Sequence, residues 1–313
     1  MRYMLNLKEK YHTPVLAHEA IEGLCISEKG TYIDATFGGG GHSGLILEKN
    51  PSFLLAIDQD EDALKNAYKF EGFANFRAEK SNFSDTARIQ SFFDGLADGV
   101  LMDLGVSSYQ LDNQQRGFSY NHDGILDMRM DLQNPLTAHH IVNNYSQKDL
   151  AKIIRDYGEE RWAARIAEFI VVYRQKTPIN TTFELSQIIK NAIPKKAREN
   201  GGHPAKRTFQ AIRIEVNSEL SILPRSIEQF VNILKPEGRI CIITFHSLED
   251  RIVKHVFREL ENPCSCPREF PHCICGKLSK LKIITKKPIL QTIDETTQNP
   301  RAKSAKLRIA QKI

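Results

Sequence analysis

The first hundred residues alternate between two hydrophobic periods. Thr31–Phe37 (TYIDATF) reads as a strand and runs into four glycines, Gly38–Gly41, after which His42–Lys49 has helical spacing. Phe53–Asp58 (FLLAID) is a short unbroken apolar run, the mark of a strand covered on both faces of a parallel sheet. Asp60–Phe70 reads as a helix with Ala63, Leu64, Ala67 and Tyr68 on one face. Asn75–Arg77 starts a third strand and Gly99–Leu104 (GVLMDL) forms another. Strands alternating with helices predict a parallel, doubly wound α/β sheet.

The alternation stops after Ser108. Gln147–Tyr157, Glu159–Arg174 and Phe183–Ala192 are helical patterns, and no convincing strand lies among them. It resumes with a helix over Asn217–Leu234, a strand over Gly238–Thr244 and a helix over Leu248–Leu260. Leu281–Lys286 and Lys306–Ala310 read as two last strands. The pattern predicts a discontinuous α/β domain, 1–112 and 214–313, interrupted by a helical insert, 113–213. A length of 313 residues agrees with two domains at roughly 150 residues each.

Composition changes this picture little; charge changes it more. Hydrophobic residues make up 41% and charged residues 26%, ordinary for a globular chain. No apolar run approaches the ~20 residues needed to span a bilayer, and the opening MRYMLNLKEKYHTP does not read as a signal peptide. The expectation is a soluble cytoplasmic protein with no membrane contact. The net charge of +5 conceals an uneven distribution: −7 over 1–112, +6 over 113–213, −2 over 214–275 and +8 over 276–313. Such asymmetry fits a polyanion reaching part of the surface, although a solvated charged face gives the same numbers.

The glycines carry the first chemical signal. Four of them between a strand and a helix let the backbone turn sharply and approach a ligand, and the helix start adds N–H groups and positive dipole character. Asp58, at the end of the next strand, is placed to accept ribose hydroxyls. Together they point to an adenosine-containing cofactor. GGGGHS departs from G-x-G-x-x-G at Ser43, and no P-loop occurs. Leu234–Gly238 (LKPEG) before a strand, the two late strands and Asp103 at a strand end favour S-adenosylmethionine (AdoMet) over a nicotinamide or flavin cofactor.

The sequence closely resembles the bacterial small-subunit ribosomal RNA (cytosine-N4)-methyltransferase family called RsmH, formerly MraW. The residues that carry the resemblance are HTPV at His12–Val15, YIDATFGGGGHS at Tyr32–Ser43, AIDQD at Ala56–Asp60 and DLGVSSYQLD at Asp103–Asp112. RGFS at Arg116–Ser119, LDMRMD at Leu126–Asp131, YGEER at Tyr157–Arg161 and HPAKRTFQAIR at His203–Arg213 continue it. VNSEL at Val216–Leu220, FHSLEDRIVK at Phe245–Lys254 and NPRAKSAKLR at Asn299–Arg308 complete it. DLGVSS and FHSLEDR are far more specific than a glycine loop. The resemblance implies a Rossmann-like AdoMet domain with a helical insert. It also implies methylation of a cytidine in the decoding centre of 16S ribosomal RNA, within the small subunit. It further implies that Gly40, Gly41 and His42 contact AdoMet, that Asp58 holds the ribose and Phe83 lies beside the adenine, and that Asp103 and Gln110 complete the pocket. Tyr109 stands where the family commonly has proline. The oligomeric state stays open; a dimer is compatible.

The cytosine N4 amino group is a poor nucleophile because its lone pair is delocalised into the ring. Its methylation needs in-line placement and an acceptor for the departing proton. Asp103 is the first candidate acceptor; the alternative is that it only orients AdoMet. Ser107 and Ser108, after the Asp103 strand, and His246 and Ser247, after the Gly238–Thr244 strand, are further site candidates. A helix cap is the competing reading for His246 and for Ser247. Phe118 or Tyr109 is expected to stack on the base. Lys195, Lys196, Arg198, Lys206 and Arg207, in a glycine- and proline-marked loop, are candidate RNA contacts, with Arg116, Phe118 and Arg129 near the target base. Arg129 reads equally as an ion-pair partner. The basic tail is a second RNA candidate. An oxidoreductase on the same sheet and a non-catalytic ribosome-assembly factor are the competing functions.

Four of the six cysteines, Cys264, Cys266, Cys273 and Cys275, form C-x-C-x6-C-x-C. A structural zinc, reduced thiols and a redox role all remain open for them. Cys25 and Cys241 read as small buried residues.

Overall fold

The computed structural model describes residues 14–198, 202–267 and 274–313. The chain divides into two compact units, Met1–Gly105 with Leu220–Ile313, and Val106–Glu219. The expected insert, 113–213, is therefore six or seven residues short at each end.

The first unit is built on one eight-stranded sheet. Its strands are β1 (Thr31–Asp34), β2 (Phe53–Asp58), β3 (Phe76–Lys80), β4 (Ala97–Asp103), β5 (Leu234–Thr244), β6 (Leu281–Ile283), β7 (Ile289–Leu290) and β8 (Lys306–Lys312). The order is β3-β2-β1-β4-β5-β8-β6, with β7 also on β8. The five strands from β3 to β5 are parallel, whereas β8 runs antiparallel to β5, β6 and β7. This is the parallel α/β sheet that the alternation predicts, with the late strands added antiparallel at one edge.

Side chains that alternate along each strand feed two separate cores. Ile33, Leu55, Ile57, Val100, Met102, Ile240 and Ile242 fill one face. Tyr32, Leu54, Ala56, Leu101, Cys241 and Ile243 fill the other. Leu54–Ile57 is fully buried for that reason, which explains the unbroken apolar run. Cys241 lies in this core, but Cys25 is exposed at a helix end, where its φ is 50°.

Several boundaries differ from expectation. β1 ends at Asp34 because the chain turns there: Ala35 N–H donates to Leu101 O and Phe37 N–H to Ile57 O. The expected helix over 60–70 is a short α-turn, Glu61–Leu64, continued by a 3-10 helix, Lys65–Phe70. The helix before β5 stops at Asn232, and LKPEG already belongs to the strand, where Glu237 has a φ of 67°.

The second unit packs helices Ala138–Asn144, Gln147–Asp156, Ala163–Arg174, Thr182–Ala192 and Lys206–Asn217 around Leu150, Ile154, Ile166, Ile189, Phe209 and Ile212. Thr137, Ser146 and Thr181 cap three of them through their hydroxyls. Among the described residues its β pairing is a single bridge, Ile125 to Thr181. The irregular LDMRMD segment is held by buried polar side chains. Arg116 Nη2 donates to Arg129 O at 2.8 Å and to Met130 O at 3.1 Å. Asn217 Oδ1 accepts Met130 N–H and Asn217 Nδ2 donates to Met128 O, both at 2.8 Å. Arg129 pairs with Asp127 at 2.8 Å and donates to Leu132 O and Asn134 O, the structural alternative to an RNA contact.

Replacing Asn217 by alanine removes its hydrogen bonds to the buried Met130 N–H and Met128 O. Asn217→Ala is expected to destabilise the helical unit by about 2–4 kcal/mol, read from urea unfolding; a change below about 0.5 kcal/mol would show that the clasp is dispensable.

Candidate active site

The C-terminal ends of β1, β2 and β4 converge on the glycine turn. Gly40 caps the helix Gly41–Glu48 with a φ of 81°, and a Cβ on it would stand 2.7 Å from the Phe70 ring. Glycine is required there on both counts. A Cβ on Gly39 would meet nothing within 4 Å, so this side of the turn is open to a ligand. Gly38 N–H donates to Asp58 Oδ2 at 2.8 Å and Asp60 N–H to Asp58 Oδ1 at 2.9 Å. The turn and the end of β2 are thereby tied together.

Asp58 is pushed up to about 6 by burial, which outweighs those two backbone hydrogen bonds, with the charges of Asp60 and Asp34 adding to the rise. The loop after β3 joins the same edge: Ser81 N–H donates to Asp58 O at 3.0 Å and Asn82 Nδ2 to Gln59 Oε1 at 2.6 Å. Phe83, in that loop, is half-buried against the sheet core.

Asp103 ends β4. Its N–H donates to Thr36 Oγ1 at 2.6 Å, and Thr36 N–H donates to Asp34 Oδ1 at 3.2 Å. Asp34 is fully buried and accepts the Ser43 hydroxyl at 2.7 Å. His42 Nε2 lies 3.1 Å from Val15 O, and its Nδ1 lies 3.6 Å from Asp103 Oδ2. A carbonyl only accepts, so Nε2 carries a proton. Nδ1 and the Asp103 carboxyl then face each other across a site suited to one further proton. Asp103 is pushed up to about 7 by burial; His42 opposes the rise, and the charges of Asp34 and Glu249 add to it. Asp103 Oδ1 is buried without a hydrogen-bond partner. Asp34 is also raised by burial, against His42, Ser43 and Thr36. The edge thus gathers three carboxyls raised by burial, a setting that favours a cationic ligand.

Thr36, Asp34, Ser43 and Glu249 belong to this edge but were not among the predicted site residues. Asp34 had a readable signal, an acid closing the TYID strand immediately before the turn.

At the end of β5 the structure corrects two expectations. His246, not Ser247, is the N-cap of the helix Ser247–Glu261, the capping alternative to a catalytic role. His246 Nδ1 accepts Glu249 N–H at 3.4 Å, while Glu249 Oε2 accepts Phe245 N–H at 2.8 Å and His246 N–H at 3.2 Å. His246 Nε2 also lies 3.1 Å from Glu249 Oε1. These contacts favour the capping role and bring a buried carboxylate, Glu249, close enough to raise Asp103.

The expected residues from Ser107 to Arg207 lie in the second unit, and those of the cysteine cluster and the tail in the first. Ser107 caps the short helix Ser108–Asp112 in a reciprocal box with Gln110, at 2.9 and 3.2 Å. Tyr109 is half exposed. Arg116 and Phe118, expected to face RNA, are buried instead: Arg116 braces LDMRMD and Phe118 packs in the helical core. The expected basic loop is largely helical. Lys195, Lys196 and Arg198 form a four-residue helix, and Lys206 and Arg207 open the helix Lys206–Asn217. Its apolar spacing, with Phe209, Ile212 and Val216 buried, was obscured by the flanking glycines and Pro204. Lys195, Lys196 and Lys206 are exposed; Arg198 Nε donates to Ile193 O and Arg207 Nη1 to Glu159 O. In the tail, Lys306 and Arg308 pair with Asp250 at 3.2 and 2.6 Å, so part of its charge is used internally. The sulfurs of Cys264, Cys266 and Cys275 lie within 4.8 Å of one another, while Cys273 is outside the described residues. Among the described residues no helix is long and apolar enough to cross a membrane.

Residues 9–313 match the model of the MraW methylase family. A protein named Ribosomal RNA small subunit methyltransferase H from Ruminiclostridium cellulolyticum is 52% identical over 312 residues, covering 96% of this chain and 99% of that one. The protein of the same name from Carboxydothermus hydrogenoformans is 54% identical over 306 residues, covering 96% and 98%. The crystal structure of an rRNA methylase from Streptococcus thermophilus spans 95% of both chains at 10% identity, with a TM-score of 0.42. With the family model covering nearly its whole length and relatives matching more than half of its positions, the chain belongs to the MraW methylase family.

Proposed function

We propose that this chain is an AdoMet-dependent methyltransferase acting on small-subunit (16S) ribosomal RNA, and that it methylates N4 of a cytidine in the decoding centre. The observation that carries the reading is Asp103: a carboxylate at the active edge of a Rossmann-like sheet, beside the open glycine turn, with one buried oxygen lacking a partner. A buried acceptor without a donor costs about 1–3 kcal/mol, which a bound ligand recovers. The relatives' names supply the RNA class, and the family resemblance supplies the base and atom.

The residues fit AdoMet. Asp58 would hold the ribose hydroxyls, Phe83 would lie beside the adenine, and Gly40, Gly41 and His42 would contact AdoMet through the loop. The buried carboxylates suit a ligand with cationic sulfonium and ammonium groups. When bound, AdoMet supplies a methyl group electrophilic enough to need no acid catalyst. The chain's own task is to orient N4 and to take its proton. Asp103 accepts that proton as the N4 lone pair commits to the new N–C bond; Thr36 anchors its backbone N–H and His42 faces its carboxylate. By the family resemblance Gln110 belongs with Asp103 to the AdoMet pocket, and Ser107 and Ser108 are further catalytic candidates. Tyr109, exposed where Phe118 is buried, is the aromatic left to stack on the base. Lys195, Lys196 and Lys206 contact RNA phosphates.

A carboxylic acid cannot accept the N4 proton, so the kcat/KM for AdoMet is expected to rise with pH below a midpoint near 7, where the Asp103 carboxyl titrates, and to level off above it. Asp103→Asn is expected to flatten this limb and to lower kcat by about 10²-fold or more while AdoMet still binds. A limb unchanged in Asp103→Asn, or a loss confined to AdoMet affinity, would contradict the acceptor role.

Reversing Lys195, Lys196 and Lys206 to glutamate is expected to weaken RNA binding at least tenfold and to flatten the salt dependence by about 0.7–0.9 log units per lost phosphate contact. AdoMet affinity should not change. Equal RNA affinity and an equal salt slope would remove this face from the RNA interface.

A further inference from the structure

The segment between the helix Ser247–Glu261 and β6 has no role in the proposed chemistry. Its ends are clamped together. Lys280 N–H donates to Leu260 O at 2.8 Å, and Ile283 N–H donates to Glu261 Oε1 at 2.7 Å. Between those clamps the described residues, 262–267 and 274–280, have no regular helix or strand, and none is buried. Ile274 and Leu278 are 74% and 82% exposed. These described residues have no core of their own, so another source of order is needed to hold them.

Three side chains do converge in it. The Sγ atoms of Cys264, Cys266 and Cys275 lie within 4.8 Å of one another. A disulfide joins only two sulfurs, at about 2.05 Å. Sulfurs around one tetrahedral zinc, each about 2.3 Å from the metal, stand about 3.8 Å apart. The observed spread needs a contraction of less than about 1 Å to reach that geometry. A second observation concerns charge. Ile274 N–H points at Cys266 Sγ, 3.4 Å away. A backbone N–H aimed at sulfur stabilises the thiolate that a metal requires. Gly276 follows Cys275 with a φ of 64°, a left-handed turn that carries the chain back around the sulfurs.

We infer that Cys264, Cys266 and Cys275 are ligands of a structural zinc ion that cross-links this segment. The inference stands apart from the RNA reading, since it concerns the loop before β6 and not the glycine turn. Three deprotonated sulfurs donate lone pairs to Zn²⁺ and a water oxygen takes the fourth tetrahedral position, the thiol protons pass to solvent, and no redox change occurs. The metal closes a loop whose ends are already fixed, so little further entropy is lost on binding.

The test is metal analysis of the full-length protein purified without a histidine tag, followed by replacement with Co²⁺. One zinc per chain is expected. The cobalt form should show thiolate-to-metal charge transfer and the strong visible bands of a tetrahedral thiolate site. Cys264→Ser/Cys266→Ser/Cys275→Ser should lose both metal and bands and become cleavable by protease within 262–280. Its AdoMet affinity should stay within twofold, a readout that also establishes that the variant is folded. Cys266→Ser alone should bind zinc at least tenfold more weakly. The inference is overturned if the protein contains no zinc and takes none up when it is added. It is also overturned by iron in place of zinc, by a mass showing a disulfide among these cysteines, or by full zinc occupancy in the triple variant.

Discussion

Carboxylates buried at the end of a parallel sheet set the terms for the rest of the site. Asp34 and Asp103 end neighbouring strands, and Asp58 ends the next strand out. Burial raises all three above the ordinary carboxylate range. A carboxyl raised from 3.8 to about 7 holds its proton more tightly folded than unfolded, so its contribution to stability falls as pH rises between those values. The fold tolerates this because the Asp58 and Asp34 carboxylates accept backbone N–H groups in or beside the glycine turn, while Asp103 is anchored through its own N–H. Asp58 accepts Gly38 N–H, Asp34 accepts Thr36 N–H, and Thr36 accepts Asp103 N–H. The same bonds that hold the negative charge in place shape the turn beside it.

The sheet makes that arrangement rigid. Its two faces are filled by alternate residues of the same strands, so a shift of one residue in any strand would exchange the two cores. The ends of β1, β2 and β4 are fixed relative to one another by this packing. A cationic cofactor then meets a preorganised set of acceptors, and little reorganisation is needed when it binds. In the second unit, buried Arg116 and Asn217 do comparable work for an irregular segment.

Elements with strong periodicity were legible in the sequence. FLLAID and GVLMD are strands because both their faces are buried, and the glycine turn and Asp58 fall where spacing placed them. Residue type misled wherever it was read without burial. Arg116 and Phe118 have the chemistry of an RNA contact, but one satisfies backbone carbonyls and the other fills a core. His246 has the chemistry of a base, but the glutamate three residues on turns it into a cap. Glu249 was passed over because nothing local reveals that the end of β5 brings it near Asp103, whereas Asp34 carries a local signal as the acid that closes TYID before the turn. The helix Lys206–Asn217 was hidden by the glycines and proline before it, although its own apolar spacing is regular.

The central claim is that the active edge holds uncompensated negative charge that a cationic cofactor relieves. Titration calorimetry of AdoMet binding between pH 6 and 7.5, repeated in buffers of different ionisation enthalpy, measures the protons displaced. A cation bound beside Asp103 lowers its affinity for a proton, so the account predicts proton release on AdoMet binding near pH 7. That release should be smaller for the uncharged thioether S-adenosylhomocysteine and should disappear in Asp103→Asn. Binding heats that do not depend on the buffer, or equal release with both ligands, would contradict it.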